Sequence, residues 1–260
     1  MLWKLDELTL LLIFLASSLM AVEAGFQLGM LHGNRRDESE KAHVGSLQAA
    51  VLGLLALLLG FTFFMAVSRF DARKSLVLDE ANAISTTLLR SKFLPAEQRA
   101  VAKGLLREHV SARLSFYAAG IDPVRLETAN TESARIERQL WALAVEAAAQ
   151  DPRSIPVSLF IESLNDVIDI DEKRQVALDN HIPEAVLSLL LIVSIVSLGL
   201  VGYGCGLTGR RRLGSNMLFA LLVVLVLTTI LDIDRPRRGL IKVSQESLIR
   251  LQATLEHDTR

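Results

Sequence analysis

The sequence predicts an all-α integral membrane protein with four transmembrane helices and a helical domain outside the bilayer. Three observations carry this. The 260 residues are 51% hydrophobic, yet the apolar residues gather in two blocks that flank a polar middle. The blocks hold uninterrupted runs of the length that crosses a hydrocarbon core, about 20 mostly apolar residues. No alternating strand pattern of any length appears in the chain.

The first predicted span runs from about Leu8 to Met30 and the second from about Leu47 to Val67. Lys4 before an apolar run and Val22-Glu23-Ala24 loosely suggest a cleaved leader, but Asp6 and Glu7 make its start acidic, which disfavours cleavage. The third span runs from about Pro183 to Gly206, and the fourth from about Met217 to Leu231 with room to extend into Ile233.

Between the pairs lies the polar middle, residues 70–182, with helical spacing throughout. Val77, Ala81, Ile84 and Leu88 form a stripe continuing from the second span. Leu94-Pro95-Ala96-Glu97 reads as a helix start. Val101, Leu105, Val110, Leu114 and Tyr117 then form the expected stripe, which Gly120 and Asp122-Pro123 break. A further helix is expected from about Thr131 to Ala149 on Ile136, Leu140, Leu143 and Ala147. Another is expected from about Pro156 to Asn180 on Phe160, Leu164, Val167 and Leu178. The tail carries an amphipathic stretch with Leu240, Val243, Leu248 and Leu251. The expected division is therefore 1–69 (two spans and their loop), 70–182 (helical domain), 183–234 (two spans) and 235–260 (tail).

Four spans put both termini and the middle domain on one side. Near the membrane that side carries Lys4, Arg69, Arg73, Lys74, Lys173, Arg174, Arg235, Arg237, Arg238 and Lys242, against Arg35, Arg36, Lys41, Arg210, Arg211 and Arg212 opposite. The bias predicts that the middle domain and both termini are cytoplasmic.

Composition excludes several classes. Net charge is −1 and aromatics are 5%, so neither a basic patch nor a stacking platform points to nucleic acid. Phosphate-binding loops, nucleophile elbows and H-E-x-x-H are absent, so no enzyme activity and no cofactor is expected. His32 and His43 share a loop with Asp37, Glu38 and Glu40, but the spacing is irregular for a metal. Cys205 is the sole cysteine and reads as a small packed residue.

Function concentrates on the second span. Gly53, Leu57, Phe61, Met65, Arg69 and Arg73 recur every four residues, so an apolar column leads to two cations. Around an axis shared by several copies, that column and its neighbour Phe64 become an apolar neck above a cationic mouth, which favours anions. The competing reading packs the strip against other helices and anchors the arginines among headgroups. Glu23 and Gln27, one turn apart inside the first span, are the intramembrane polar candidates. Gly25 and Gly29, and the glycines at 202, 204, 206 and 209, permit close helix approach or a bend. Glu80, Asn82, Arg174, Asp232, Asp234 and Arg235 are expected to build a structural polar network, Glu80 pairing with Arg73 or Arg174, and Pro236 and Gly239 enforcing a turn.

The segment LGFTFFMAVSRF resembles the second transmembrane helix of the bestrophins. There a glycine–phenylalanine pair is followed, eight residues past the phenylalanine, by an arginine and an aromatic, as in Gly60-Phe61 and Arg69-Phe70. DEANAISTTLLR (79–90), LNDVID (164–169), HIP (181–183), GYGCGLTGRRR (202–212) and LDIDRPRRGLIKVSQ (231–245) are similar to the bacterial bestrophin-like family. The resemblance implies a pentameric anion channel in the lipid bilayer, passing small inorganic ions, with four spans and a helical cytoplasmic domain. It puts Phe61, Leu57 and Gly53 at successive neck positions, although the family places a bulky apolar residue where Gly53 stands. It implies no calcium activation, since only Asp232 and Asp234 stand where animal members carry an acidic run. The alternative is a membrane-anchored sensor or scaffold whose helical domain binds partners without transport.

Overall fold

The computed structural model describes residues 6–33 and 37–257. Lys4, Arg35 and Arg36, which entered the orientation reading, lie outside the described residues. Eight helices follow in order among those described: α1 Glu7–Gly33, α2 Glu38–Ser91, α3 Ala96–Ala118, α4 Pro123–Gln150, α5 Ile155–Asp179, α6 Glu184–Leu207, α7 Leu213–Ile233 and α8 Glu246–His257. The chain is all-α, and four of its helical stretches are long and apolar enough to cross a membrane.

Local chemistry sets the helix ends. The carboxylate of Asp122 accepts from the amides of Val124 and Arg125, and Pro123 opens α4. Asp122-Pro123 therefore starts α4 eight residues ahead of the expected Thr131, rather than standing in a long break. Ser154 caps α5 through the amide of Val157, with Pro156 in the first turn. Gly120 closes the stretch after α3 at φ 58°, a conformation that a side chain disfavours. The amphipathic tail is only partly a helix. α8 begins at Glu246, so Leu240 and Val243 precede it, and Leu240 is almost fully exposed.

Two compact units divide the chain. Unit 1 comprises Met1–Ser68, His181–Arg235 and Gly239–Ile241, and holds α1, α6, α7 and the first part of α2. Its tightest seam joins α1 to α6. Gly25 and Gly29 lie one turn apart on the buried side of α1, against Gly199, Gly202 and Gly206. A Cβ on Gly202 would lie 1.9 Å from the carbonyl oxygen of Val22, and one on Gly29 2.2 Å from that of Tyr203. Only glycine lets the two backbones meet at that distance, and close packing replaces the hydrophobic drive that lipid removes. Hydroxyls in the spans are satisfied within their own helices: Ser194 donates to the carbonyl of Leu190 at 2.7 Å and Thr62 to that of Leu58 at 2.7 Å.

The end of α7 and the stretch after it account for the acidic pair Asp232 and Asp234 and for Gly239. The Asp232 carboxylate accepts the amides of Leu240 at 2.8 Å and Ile241 at 3.0 Å. Gly239 lies so close that a Cβ there would sit 2.7 Å from Asp232 Oδ1. Asp234 Oδ2 accepts the amide of Ile182 at 2.8 Å, and His181 Nδ1 lies 2.9 Å from the Asp234 carbonyl. Both carboxylates thus fix backbone.

Unit 2 comprises Arg69–Asn180, Pro236–Arg238 and Lys242–Arg260. The second part of α2 packs with α3, α4, α5 and α8 around Val77, Ile84, Leu106, Ile136, Leu140, Phe160, Leu164, Leu248 and Leu255. Each fully buried Leu, Ile or Phe of this kind contributes about 1.5–3 kcal/mol. The expected rows of α2, α4 and α5 are buried as the periodicity predicts. The row of α3 is partly displaced: Gln98, Ala102, Leu106, His109, Arg113 and Phe116 face inward beside the expected Val110, Leu105 and Leu114 are partly buried, and Val101 is half exposed.

Candidate functional site

Within unit 1, α2 buries Leu55, Thr62 and Ala66, and turns Gly53, Leu57, Phe61 and Phe64 outward. Leu57 is 54% exposed, Phe61 63% and Phe64 72%, and nothing lies within 4 Å of where a Cβ on Gly53 would stand. Four expected neck residues therefore share one outward apolar face. Met65 lies at its margin, half-buried.

The arginines leave that face. Residues four apart advance about 40° around a helix of 3.6 residues per turn. Five such steps turn the row by about 200°, from the outward side at Gly53 to the inward side at Arg73. Arg73 is accordingly buried, at 4% exposure, within unit 2. Its Nε donates to the carbonyl of Ala177 at 2.9 Å and its Nη2 to that of Asn180 at 3.0 Å. These carbonyls belong to the C-terminal end of α5, the negative end of its dipole. Arg69 Nη1 donates to Asn180 Oδ1 at 2.5 Å. Arg73 is turned into the protein and both side chains, expected to form a stacked cationic mouth, hold the end of α5. The outward residues of α2 in unit 2 include Asp71, Lys74, Ser75, Leu78, Asp79 and Asn82, with Ser75 donating to Asp79 at 3.4 Å. Asn82 is exposed and stands outside the polar network to which the sequence assigned it.

That network lies in the core of unit 2. Glu80 is fully buried. Its Oε1 accepts from Arg113 Nε at 2.7 Å, and its Oε2 pairs with Arg174. Arg113 also pairs with Asp171, and Arg174 Nη2 donates to Gln245 Oε1 at 2.9 Å. Of the two partners expected for Glu80, Arg174 is present and Arg73 is not. Aromatic faces complete the arrangement, with Arg174 4.3 Å over the Tyr117 ring and Arg237 4.3 Å over Phe116. Burial pushes the Tyr117 phenol up to about 12. Burial, then the neighbouring charge of Asp171, raises the Glu137 carboxyl above its ordinary range. His109 is fully buried, and burial and Arg113 hold its imidazole down to about 3, so it is neutral. Sequence reasoning missed Arg113, Asp171, His109 and Glu137 because an apolar-stripe search discards polar residues that face inward. Their one sequence signal is spacing: His109 and Arg113 continue the row of Ala102 and Leu106.

In unit 1, Glu23 finds an unexpected partner. Arg211, from the segment joining α6 to α7, donates to both its oxygens at 2.8 and 2.7 Å, while Gln27 donates to it at 3.2 Å. Arg211 also lies 5.3 Å over the Phe26 ring. No group of three or more potential metal ligands occurs among the described residues.

Residues 14–248 match the family model for the bestrophin-like domain. The chain belongs to the bestrophin-like family. Solved structures agree with that assignment at the level of fold. A point variant of a bacterial bestrophin homologue from Klebsiella pneumoniae is 16% identical, with a TM-score of 0.66 over 97% of this chain and 98% of its own. A second structure of that homologue is 17% identical, with a TM-score of 0.63 over the same shares. No curated protein matches this chain in sequence. The bestrophin-like assignment, with the four spans, makes this an integral membrane protein.

Proposed function

We propose that this bestrophin-like chain forms a symmetric homo-oligomer, a ring of five, that conducts small inorganic ions along an axis lined by α2. The outward face of Gly53, Leu57, Phe61 and Phe64 carries this reading. α2 is the least covered of the four candidate spans. An apolar face of that kind needs either lipid or the same face of other copies, and family membership supports the second. Leu57, Phe61 and Phe64 then form a neck that gates by dewetting. Gly53 widens one end of it.

The sign of the ion follows from which groups remain outward. Anions were expected from Arg69 and Arg73 and from the family likeness, and the two arginines donate to the end of α5. Among the outward residues, Asp71 and Asp79 are carboxylates on the side that continues from Gly53, with Lys74 exposed at its flank, and rings of carboxylates favour cations. The reading supported best is therefore a cation-conducting path, with anion conduction as the competing outcome.

Purified protein in liposomes tests both parts. Expected are a detergent-solubilised particle with the mass of five chains and a K⁺ or Na⁺ flux that rises in Phe61→Ala. Asp79→Asn lowers the ratio of cation to anion permeability. A monomeric particle, or no flux of either sign from the wild type and Phe61→Ala, overturns the channel reading. Chloride flux that Asp79→Asn leaves unchanged overturns the cation assignment alone.

A further inference from the structure

The stretch that follows α7 turns a large apolar side chain outward and holds it there. Leu240 is 87% exposed, more than any other large apolar residue described, and its neighbour Ile241 is 41% exposed. Single exposed leucines are common on protein surfaces. This one differs because its backbone is fixed. The amides of Leu240 and Ile241 both donate to the Asp232 carboxylate, and the amide of Gly239 donates to the carbonyl of Arg235 at 3.2 Å. Gly239 packs against Asp232 too closely to admit a side chain. Three backbone bonds and that contact set the turn, so the exposure of the apolar pair is built into it.

Position gives the exposed pair its partner. The 21 residues of α7, at about 1.5 Å each, span about 30 Å, the thickness of a hydrocarbon core. Asp232 is the last residue but one of that helix, so it stands where hydrocarbon gives way to headgroups. The amides of Leu240 and Ile241 sit at its carboxylate and therefore at the same level. Two exposed cations, Arg238 and Lys242, bracket the segment. Apolar side chains flanked by cations are the chemistry that binds a phospholipid surface: the apolar groups enter the acyl boundary and the cations meet phosphate.

We propose that Leu240 and Ile241 dip into the bilayer at the boundary of headgroups and acyl chains, in the leaflet where α7 ends, with Lys242 toward lipid phosphate. The segment then works as a short interfacial anchor that fixes where the chain leaves the membrane. It rests on the membrane spans and not on conduction, so a chain that passes no ions would leave it standing.

Spin labelling of the full chain, in liposomes of phosphatidylglycerol and phosphatidylethanolamine, tests this. Leu240→Cys in a Cys205→Ser background carries the nitroxide, and Ala253→Cys, on the exposed side of α8, gives the aqueous reference. Both positions are exposed, so the label enters without displacing the core. Molecular oxygen, which concentrates in lipid, is expected to relax the label on Leu240→Cys more than a water-soluble nickel chelate does. The order is reversed on Ala253→Cys. Ile241→Cys is expected to share the oxygen preference. Adding Lys242→Glu to Leu240→Cys shifts the balance toward nickel, and an unchanged balance overturns the role given to Lys242. Nickel access on Leu240→Cys equal to that on Ala253→Cys places the segment in water and overturns the anchor. Low access to both reagents, the mark of burial against a second copy, overturns it as well.

Discussion

Arg211 grips Glu23 with one nitrogen, Nη2, placed 2.8 and 2.7 Å from the two carboxylate oxygens. The residues are 188 positions apart, and the contact ties the segment between α6 and α7 to α1. Both side chains are about half exposed, so water or headgroups screen the pair and it is a tether more than a source of stability. Arg211→Ala and Glu23→Gln are each expected to lower the melting temperature slightly. The double variant should be no worse than either single one. Thermal unfolding of the four proteins in detergent measures this coupling, and independent, additive losses would show that the two residues act apart.

The glycine seam makes a sharper demand. A methyl group on Gly202 would meet the Val22 backbone at 1.9 Å, and neither backbone has a flexible end that can yield. Gly202→Ala must push α1 and α6 apart, at a cost of about 3 kcal/mol or more. The same change at Gly53 meets nothing within 4 Å. Gly202→Ala is expected to reduce folded yield and melting temperature strongly, whereas Gly53→Ala leaves both near wild type. Yield after size-exclusion chromatography separates the two.

Glu80 holds two guanidiniums in the buried core of unit 2. Glu80→Gln keeps the shape and removes the charge, leaving Arg113 to Asp171 alone and Arg174 without a carboxylate. Breaking a buried pair in this way costs about 3–5 kcal/mol. Asn82→Ala, two residues along on the exposed side of the same helix, should stay within about 0.5 kcal/mol of wild type. Denaturant unfolding of the soluble-side signal compares them. Equal effects would mean that burial does not distinguish the two positions.

The four spans were legible because lipid imposes one rule, an unbroken apolar run, and nothing in the chain obscures it. The inward rows of α4 and α5 were legible because Ile136, Leu140, Phe160 and Leu164 recur at helical spacing, although Ser133, Ser163, Asp171 and Arg174 share those faces. The row of α3 was not, since Gln98, His109 and Arg113 occupy it and left Val101 as a false member. Spacing also misled at Arg73. A four-residue column is a good neighbour rule over one turn and a poor one over five, because the drift accumulates until the row changes sides. Partners distant in sequence, such as Arg211 for Glu23, carried no local signal at all.

His109 and Glu137 give the stability of this protein a pH dependence with opposite signs. His109 is held down to about 3 by burial and Arg113, against an ordinary 6.5. As pH falls below 6.5 the unfolded chain takes up a proton that the folded one refuses, so stability falls on acidification through that window. Glu137 is raised, by burial and then by Asp171, from an ordinary 4.5. Here the folded chain keeps a proton that the unfolded one releases, so stability falls as pH climbs from 4.5 through the raised value. Each proton contributes a slope of at most about 1.4 kcal/mol per pH unit. Melting temperatures measured across this range should therefore pass through a maximum at intermediate pH. His109→Gln flattens the acid limb and leaves the alkaline limb in place, while Glu137→Gln does the reverse. An acid limb unchanged in His109→Gln would assign the loss to carboxylates elsewhere in the fold.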